Sequence, residues 1–126
     1  MRTIFHSGEE TLEINLIDDF EYNNDYCPAT NAFHRLNGKY KLTILYLLLK
    51  GSMRNSELLK TIPGLTEKVL AQRLDELESD KIIHRKVYPV VPPKVEYSLT
   101  QYGETLRPVF ESLILWGTSH EVLPAH

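Results

Sequence analysis

The feature that most constrains this chain lies between Ser56 and Leu99: two helical stretches separated by Pro63-Gly64, followed directly by two segments of alternating character. The first stretch opens at Ser56-Glu57-Leu58-Leu59 and must stop before Pro63, because a proline pushes the preceding residue out of helical geometry. Gly64 supplies a turn, and Thr66 stands where it can cap a second helix running to about Ser79, with Leu70, Leu74 and Leu77 on one stripe. After Asp80 the period changes. Ile82 to Val90 leads into Val91-Pro92-Pro93, and Val95, Tyr97 and Leu99 then alternate with Lys94, Glu96 and Ser98, which is a hairpin with a proline-stiffened tip. Two helices joined by a short turn predict a helix-turn-helix, and a two-stranded wing directly after it predicts the winged variety. The expected fold class is therefore mainly α with a small β-hairpin.

The flanking sequence supplies the remaining helices. Pro28 suits a first helical turn, with Ala32, Phe33 and Leu36 following at helical spacing until Asn37-Gly38. Lys39 to Leu49 is dense in leucine, as a helix central to a core would be, and Lys50-Gly51 ends it. Thr100 can cap one last helix carrying Leu106, Val109, Phe110, Leu113 and Trp116 on a broad apolar face, which packs either within the chain or against a second copy. Near the start, Leu12, Ile14 and Leu16 alternate like a short edge strand or arm. At 126 residues and 42% hydrophobic content, one domain with one modest core is the default. The apolar stretch Leu42 to Leu49 is interrupted by Thr43 and Tyr46 and falls far short of the roughly 20 residues a membrane span needs. The acidic start, with Glu9, Glu10 and Glu13, is unlike a secretory signal, so the expectation is a cytoplasmic protein with no membrane partner.

A net charge of −3 argues at first against a nucleic-acid partner, but the charge is unevenly spread. Residues 1–34 hold one basic and seven acidic side chains, residues 35–95 twelve and six, and residues 96–126 one and four. The middle is basic, and acidic ends turned away from a duplex do not forbid binding. At about 100° per residue, turning Leu70, Leu74 and Leu77 inward sends Lys68 and Gln72 outward on the N-terminal half of the recognition helix. Both can hydrogen-bond base edges, which makes them the candidates for direct readout of double-stranded DNA. Arg73 stands at the edge of the core stripe, where it either pairs with a neighbouring carboxylate or reaches a phosphate. Arg85, Lys86 and Lys94 surround the wing tip, with Lys94 the foremost candidate for a backbone contact. Arg54 and Ser56 stand at the start of the preceding helix, where the dipole favours a phosphate; Ser56 serves equally well as a cap. Thr66 joins the DNA-facing set through its place at the mouth of the recognition helix.

Taken in order, several fragments resemble the HxlR-type branch of the MarR-like regulators. They are Cys27-Pro28, Gly38-Lys39-Tyr40, Ser56-Glu57-Leu58, Ile62-Pro63-Gly64-Leu65-Thr66, Leu70-Ala71-Gln72-Arg73-Leu74, the wing from Tyr88 to Tyr97, and Leu99-Thr100-Gln101-Tyr102-Gly103. The resemblance spans residues 27–117, leaving residues 1–26 as an acidic extension and 118–126 as a tail. It implies a bacterial winged-helix regulator, acting as a homodimer and a repressor, with dimer contacts from the terminal helices and so from the face of Leu106, Val109, Phe110, Leu113 and Trp116. Tyr40 and Asn55 depart from the family, which commonly carries tryptophan and an aromatic residue there, and the acidic extension is longer than usual.

The resemblance also implies a role for Cys27, because some members sense oxidants or electrophiles through a cysteine at the matching position. A thiol before Pro28 stands at a helix N-terminus, where the dipole favours thiolate. As Cys27 is the single cysteine, its oxidation can give only an intersubunit disulfide, a mixed disulfide or another adduct. The alternative is a small packing residue. The five histidines show no metal spacing, and no nucleophile motif or phosphate-binding glycine loop is present, so no metal, cofactor or catalytic residue is expected. A small-molecule effector is left unidentified. Beside the DNA-binding regulator stands one alternative function, a winged-helix module that uses the same face for a partner protein.

Overall fold

The structure, a computed structural model, describes residues 3–7 and 10–14 by their backbone, residue 17, and residues 27–119. Leu16, most of the expected acidic extension and residues 120–126 of the expected tail lie outside the described residues. The chain divides into two compact units, Met1–His34 and Arg35–His126.

In the first unit, β1 (Thr3–Ser7) pairs antiparallel with β2 (Glu10–Ile14), with Phe5 opposite Leu12. The alternation of Leu12 and Ile14 is thus a paired strand. Helix α1 (Pro28–Leu36) begins in this unit, with Pro28 in its first turn and the Asn31 amide donating to the Cys27 carbonyl at 2.9 Å.

The second unit holds the winged helix. Helix α2 (Lys41–Lys50) starts two residues later than the leucine pattern suggests, because Tyr40 adopts a left-handed conformation (φ 71) that no helix interior tolerates. Ile44, Leu45 and Leu48 are buried in it. Strand β3 (Met53–Arg54) follows, then α3 (Asn55–Thr61), the turn at Gly64 (φ +81), and α4 (Glu67–Ser79). Gly64 has both the conformation and the tight neighbourhood that require glycine, since a Cβ there would lie 3.0 Å from the Tyr40 hydroxyl. Thr66 caps α4, its Oγ1 accepting from the Val69 amide at 3.2 Å. Leu70, Leu74 and Leu77 join Ile44, Leu58 and Ile83 in the core.

The wing is β4 (Ile83–Tyr88) and β5 (Lys94–Leu99), antiparallel with Tyr88 opposite Lys94. Strand β3 pairs with the other edge of β5, so the hairpin is part of a three-stranded sheet in the order β3-β5-β4. Two residues cannot show a period, and β3 is therefore invisible in the sequence.

The expected single last helix is two: α5 (Gln101–Glu104) and α6 (Arg107–Ser119). A continuous helix would need a Pro108 amide hydrogen to reach the Glu104 carbonyl, and proline has none. Instead the Thr105 and Leu106 amides make tighter bonds three residues back, to Tyr102 and Gly103, before α6 begins. Helix α5 is clasped to the start of β4: the Thr100 hydroxyl donates to the Lys81 carbonyl at 2.6 Å and the Ile82 carbonyl at 3.1 Å, and accepts from the Gly103 amide at 3.0 Å. A Cβ on Gly103 would fall 2.1 Å from the Ile82 carbonyl oxygen, so only glycine fits against that backbone.

Candidate nucleic-acid interface

Helix α4 has three distinct faces. The leucine stripe is buried. Lys68 and Gln72 are exposed, as the helical spacing requires once the leucines point inward. The third face, made by Arg73, Glu76 and the C-capping Asp80, is gripped by residues from the end of α1 to the start of α2. The Arg73 guanidinium donates through Nε to the Lys39 carbonyl at 3.1 Å and through Nη1 to Glu76 Oε1 at 2.6 Å. The other Glu76 oxygen meets the Lys41 ammonium at 2.8 Å. Lys41 is only 3% exposed, and its ammonium also donates to the Arg35 carbonyl at 3.4 Å, so the charge on this first residue of α2 is compensated in place. Arg35 in turn pairs with Asp80 at 2.5 Å.

Of the two readings left open for Arg73, the carboxylate pairing is the one observed. Glu76 likewise is not a loose acidic group on the DNA side of α4. Its hydrogen bond to Lys41, followed by the charges of Lys41 and Arg73, holds its carboxyl below the ordinary value against the opposing effect of burial. Asp75 and Glu78 stay exposed on the C-terminal half.

Sheet register sorts the wing cations that the sequence leaves as one group. Cross-strand partners share a face and successive residues alternate. Arg54 and Lys86 both oppose Glu96, one from each neighbouring strand, and Tyr88 opposes Lys94, so Arg54, Lys86, Tyr88, Lys94 and Glu96 share one face. Arg85 opposes Tyr97 on the other face, with Ile83. The ammonium groups of Lys86 and Lys94 lie 4.7 Å and 4.8 Å from the centre of the Tyr88 ring. Lys94 is half-buried and also 3.4 Å from Glu96, whereas Arg54, Arg85 and Lys86 are exposed. The tip is apolar and open to solvent, with Val91 fully exposed and Val90 and both prolines exposed.

At the start of α3 the N-cap is Arg54, whose amide donates to Glu57 Oε1 at 2.9 Å. Ser56 therefore stands exposed inside the first turn rather than at the cap. The five residues expected to form an apolar docking face on the last helix divide as well. Phe110 is buried in the core and Leu106 packs against that core, while Val109, Leu113 and Trp116 are exposed together with Ile114 and Leu115. Arg107 anchors the start of α6, donating to the Leu49 carbonyl at the end of α2 and to Glu104, both at 3.0 Å.

Cys27 is half-buried and immediately precedes α1. The Thr30 hydroxyl, then the Thr30 amide, hold its thiol below the usual value, with a lesser contribution of the same sign from the Ala29 amide. His34, on α1, is exposed. Among the described residues no three His, Cys, Asp or Glu side chains gather as a metal site, and no helix is long and apolar enough to cross a membrane.

The sequence reading missed the clasp from Arg35, Lys39 and Lys41 onto α4. One signal was present: a lysine opening a leucine-rich helix needs a partner, and Glu76 at three residues from Arg73 is placed to be shared.

Comparison with known proteins agrees with this geometry. The family model described as HxlR-like helix-turn-helix matches residues 35–123. The uncharacterized HTH-type transcriptional regulator YdeP of Bacillus subtilis is 44% identical over 104 residues, which is 82% of this chain and 78% of YdeP. Among solved structures, the redox regulator HypR in its reduced form is 40% identical with a TM-score of 0.73, over 75% of this chain and 94% of HypR. The reduced form of the transcriptional regulator YodB from Bacillus subtilis is 39% identical with a TM-score of 0.66, over 73% of this chain and 91% of YodB.

Proposed function

The chain belongs to the HxlR-like helix-turn-helix family of DNA-binding transcriptional regulators, and from that premise we propose that it represses transcription as a homodimer, reading operator DNA through Lys68 and Gln72. The observation that carries this reading is the face of α4 on which those two side chains stand free while the helix is held on its other faces. Inserted by its N-terminal half, α4 offers Lys68 to a guanine edge and Gln72 to an adenine edge. Thr66, with its hydroxyl engaged as the cap, fixes the end of the helix nearest the bases.

Backbone contacts come from Arg54, Lys86 and Lys94 on one sheet face, with Glu96 lowering the net charge of that face, and from Ser56 in the first turn of α3. The exposed state of Lys86 makes it a stronger phosphate ligand than Lys94, which must first give up Glu96. Arg85 serves a phosphate only on the opposite side of the wing.

Dimerisation through α6 is supported by the exposed Val109, Leu113, Ile114 and Leu115, an apolar set too large for a helix end that faces water alone. A two-fold dimer would set two copies of α4 in successive major grooves. Redox sensing by Cys27 is supported by the lowered thiol pKa and by the likeness to the redox regulator HypR.

The test is selection from a random duplex library by the purified chain. Enrichment of two inverted half-sites about 10 base pairs apart is expected. No enrichment even at low salt would overturn the reading and favour a protein-binding module.

A further inference from the structure

The segment Gly38-Lys39-Tyr40 touches the helix-turn-helix unit at both ends. Its Tyr40 hydroxyl lies against the Gly64 turn, and its Lys39 carbonyl accepts from Arg73 on α4. Gly38 packs beside the Arg73 side chain, which a Cβ there would meet at an ordinary contact distance of 3.4–3.5 Å. Arg73 ties this segment to Glu76, whose other oxygen meets the buried Lys41. Its neighbour in the chain is Gln72.

A helix held only by leucines can still roll and slide on a core, because dispersion contacts are not directional. The Arg73 fork is directional. It makes two hydrogen bonds of fixed geometry, one within α4 to Glu76 that aims the guanidinium, and one across to the Lys39 carbonyl, which belongs to the backbone and cannot follow a moving side chain. A roll of α4 that carried Lys68 and Gln72 across a base step would stretch the Arg73–Lys39 bond and, beside it, the Glu76–Lys41 ion pair, while the Arg73–Glu76 bond moves with the helix.

We infer that Arg73 is a positioning residue for DNA recognition: aimed by Glu76 on its own helix, it fixes the roll of α4 against the Lys39 carbonyl, so that sequence discrimination depends on it while phosphate binding does not. The inference rests on the reading of Lys68 and Gln72 as the base-contacting pair.

The distinguishing experiment measures Arg73→Lys and Glu76→Gln beside the unaltered chain, on the duplex that the unaltered chain selects and on a scrambled duplex, across a salt series and well below each variant's melting temperature. A lysine keeps the charge of Arg73 but one ammonium cannot hold the same planar fork, and glutamine keeps the shape of Glu76 without its charge. Both variants are expected to lose roughly tenfold in the ratio of selected to scrambled affinity, about the value of one well-formed base contact. Affinity for the scrambled duplex and its salt slope should stay as they were. Equal losses of Arg73→Lys on both duplexes, or a salt slope reduced by about 0.9, would mean that Arg73 meets a phosphate and would overturn the inference. A lowered melting temperature with an unchanged ratio would also overturn it, by leaving Arg73 a stabilising role only. If the unaltered chain itself fails to discriminate, the reading of α4 falls first and the inference with it.

Discussion

Gly103→Ala is the substitution whose sign most sharply separates packing from propensity. In an open helix, alanine is more favourable than glycine by about 1 kcal/mol. Here the new Cβ would lie 2.1 Å from the Ile82 carbonyl oxygen, where an ordinary carbon–oxygen contact is about 3.3 Å, so helix α5 and the start of β4 must separate by about 1.2 Å. Overpacking of this kind costs about 1–3 kcal/mol. The separation also stretches the Thr100 amide bond to Ile82 and the hydroxyl bond whose single proton is shared between the Lys81 and Ile82 carbonyls, with a net value of about 1 kcal/mol for each donor. After the propensity gain, the expected loss is about 3 kcal/mol, or a melting temperature lower by roughly 15 °C for a unit of this size. Thermal and urea unfolding followed by circular dichroism read it directly. Thr100→Val removes the hydroxyl bonds without the clash and should cost less, about 1–2 kcal/mol. An unchanged or raised melting temperature for Gly103→Ala would refute the argument, because helix propensity would then outweigh the contact.

Further outcomes follow from the clasp, the terminal helix and the thiol. The Glu76 carboxyl has a folded pKa below its unfolded value of about 4.3, so its ion pairs stabilise fully above that pH and the contribution is lost as pH falls through the folded value. Stability measured in urea should therefore fall less on acidification in Glu76→Gln than in the unaltered chain, and parallel falls would contradict the pairing. Leu113→Glu puts a charge in the exposed apolar stretch of α6 and should yield monomers in sedimentation with DNA affinity reduced at least tenfold, whereas dimers of normal affinity would move the interface elsewhere. Cys27→Ser should abolish any change in DNA affinity caused by diamide; a response that survives in the serine variant would remove Cys27 from sensing.

Much of this molecule was legible in its sequence wherever a period ran long enough. The leucine stripe of α4, the alternation of β5 and the proline before which α3 stops each fixed an element, and the winged helix followed from their order. What escaped was set by geometry between elements. Strand β3 is two residues long and exists because β5 has a free edge beside it. The break between α5 and α6 depends on Pro108, which lies inside an otherwise helical apolar pattern. Arg73 was left between a carboxylate and a phosphate partner, and its bond to the Lys39 carbonyl could not be read at all, because Lys39 is thirty-four residues away and contributes only backbone. The apolar face of the last helix was read whole, although Phe110 turns into the core and Leu113 does not. Arg85 and Lys86 are adjacent in sequence, and only the register separates their faces.

As proposed, the exposed face of α4 and the wing divide the labour of DNA binding between base reading and backbone contact. This division is tested most directly by comparing Lys68→Ala/Gln72→Ala with Lys86→Ala on a selected and a scrambled duplex across a salt series. The α4 double variant should lose discrimination by roughly 10-fold or more at the selected sequence while retaining its scrambled-DNA affinity to within a few-fold, a small loss expected from removing one exposed cation. Lys86→Ala should weaken both duplexes alike and lower the salt slope by about 0.9. Parallel losses on both duplexes for both proteins, with the same change in slope, would contradict the division.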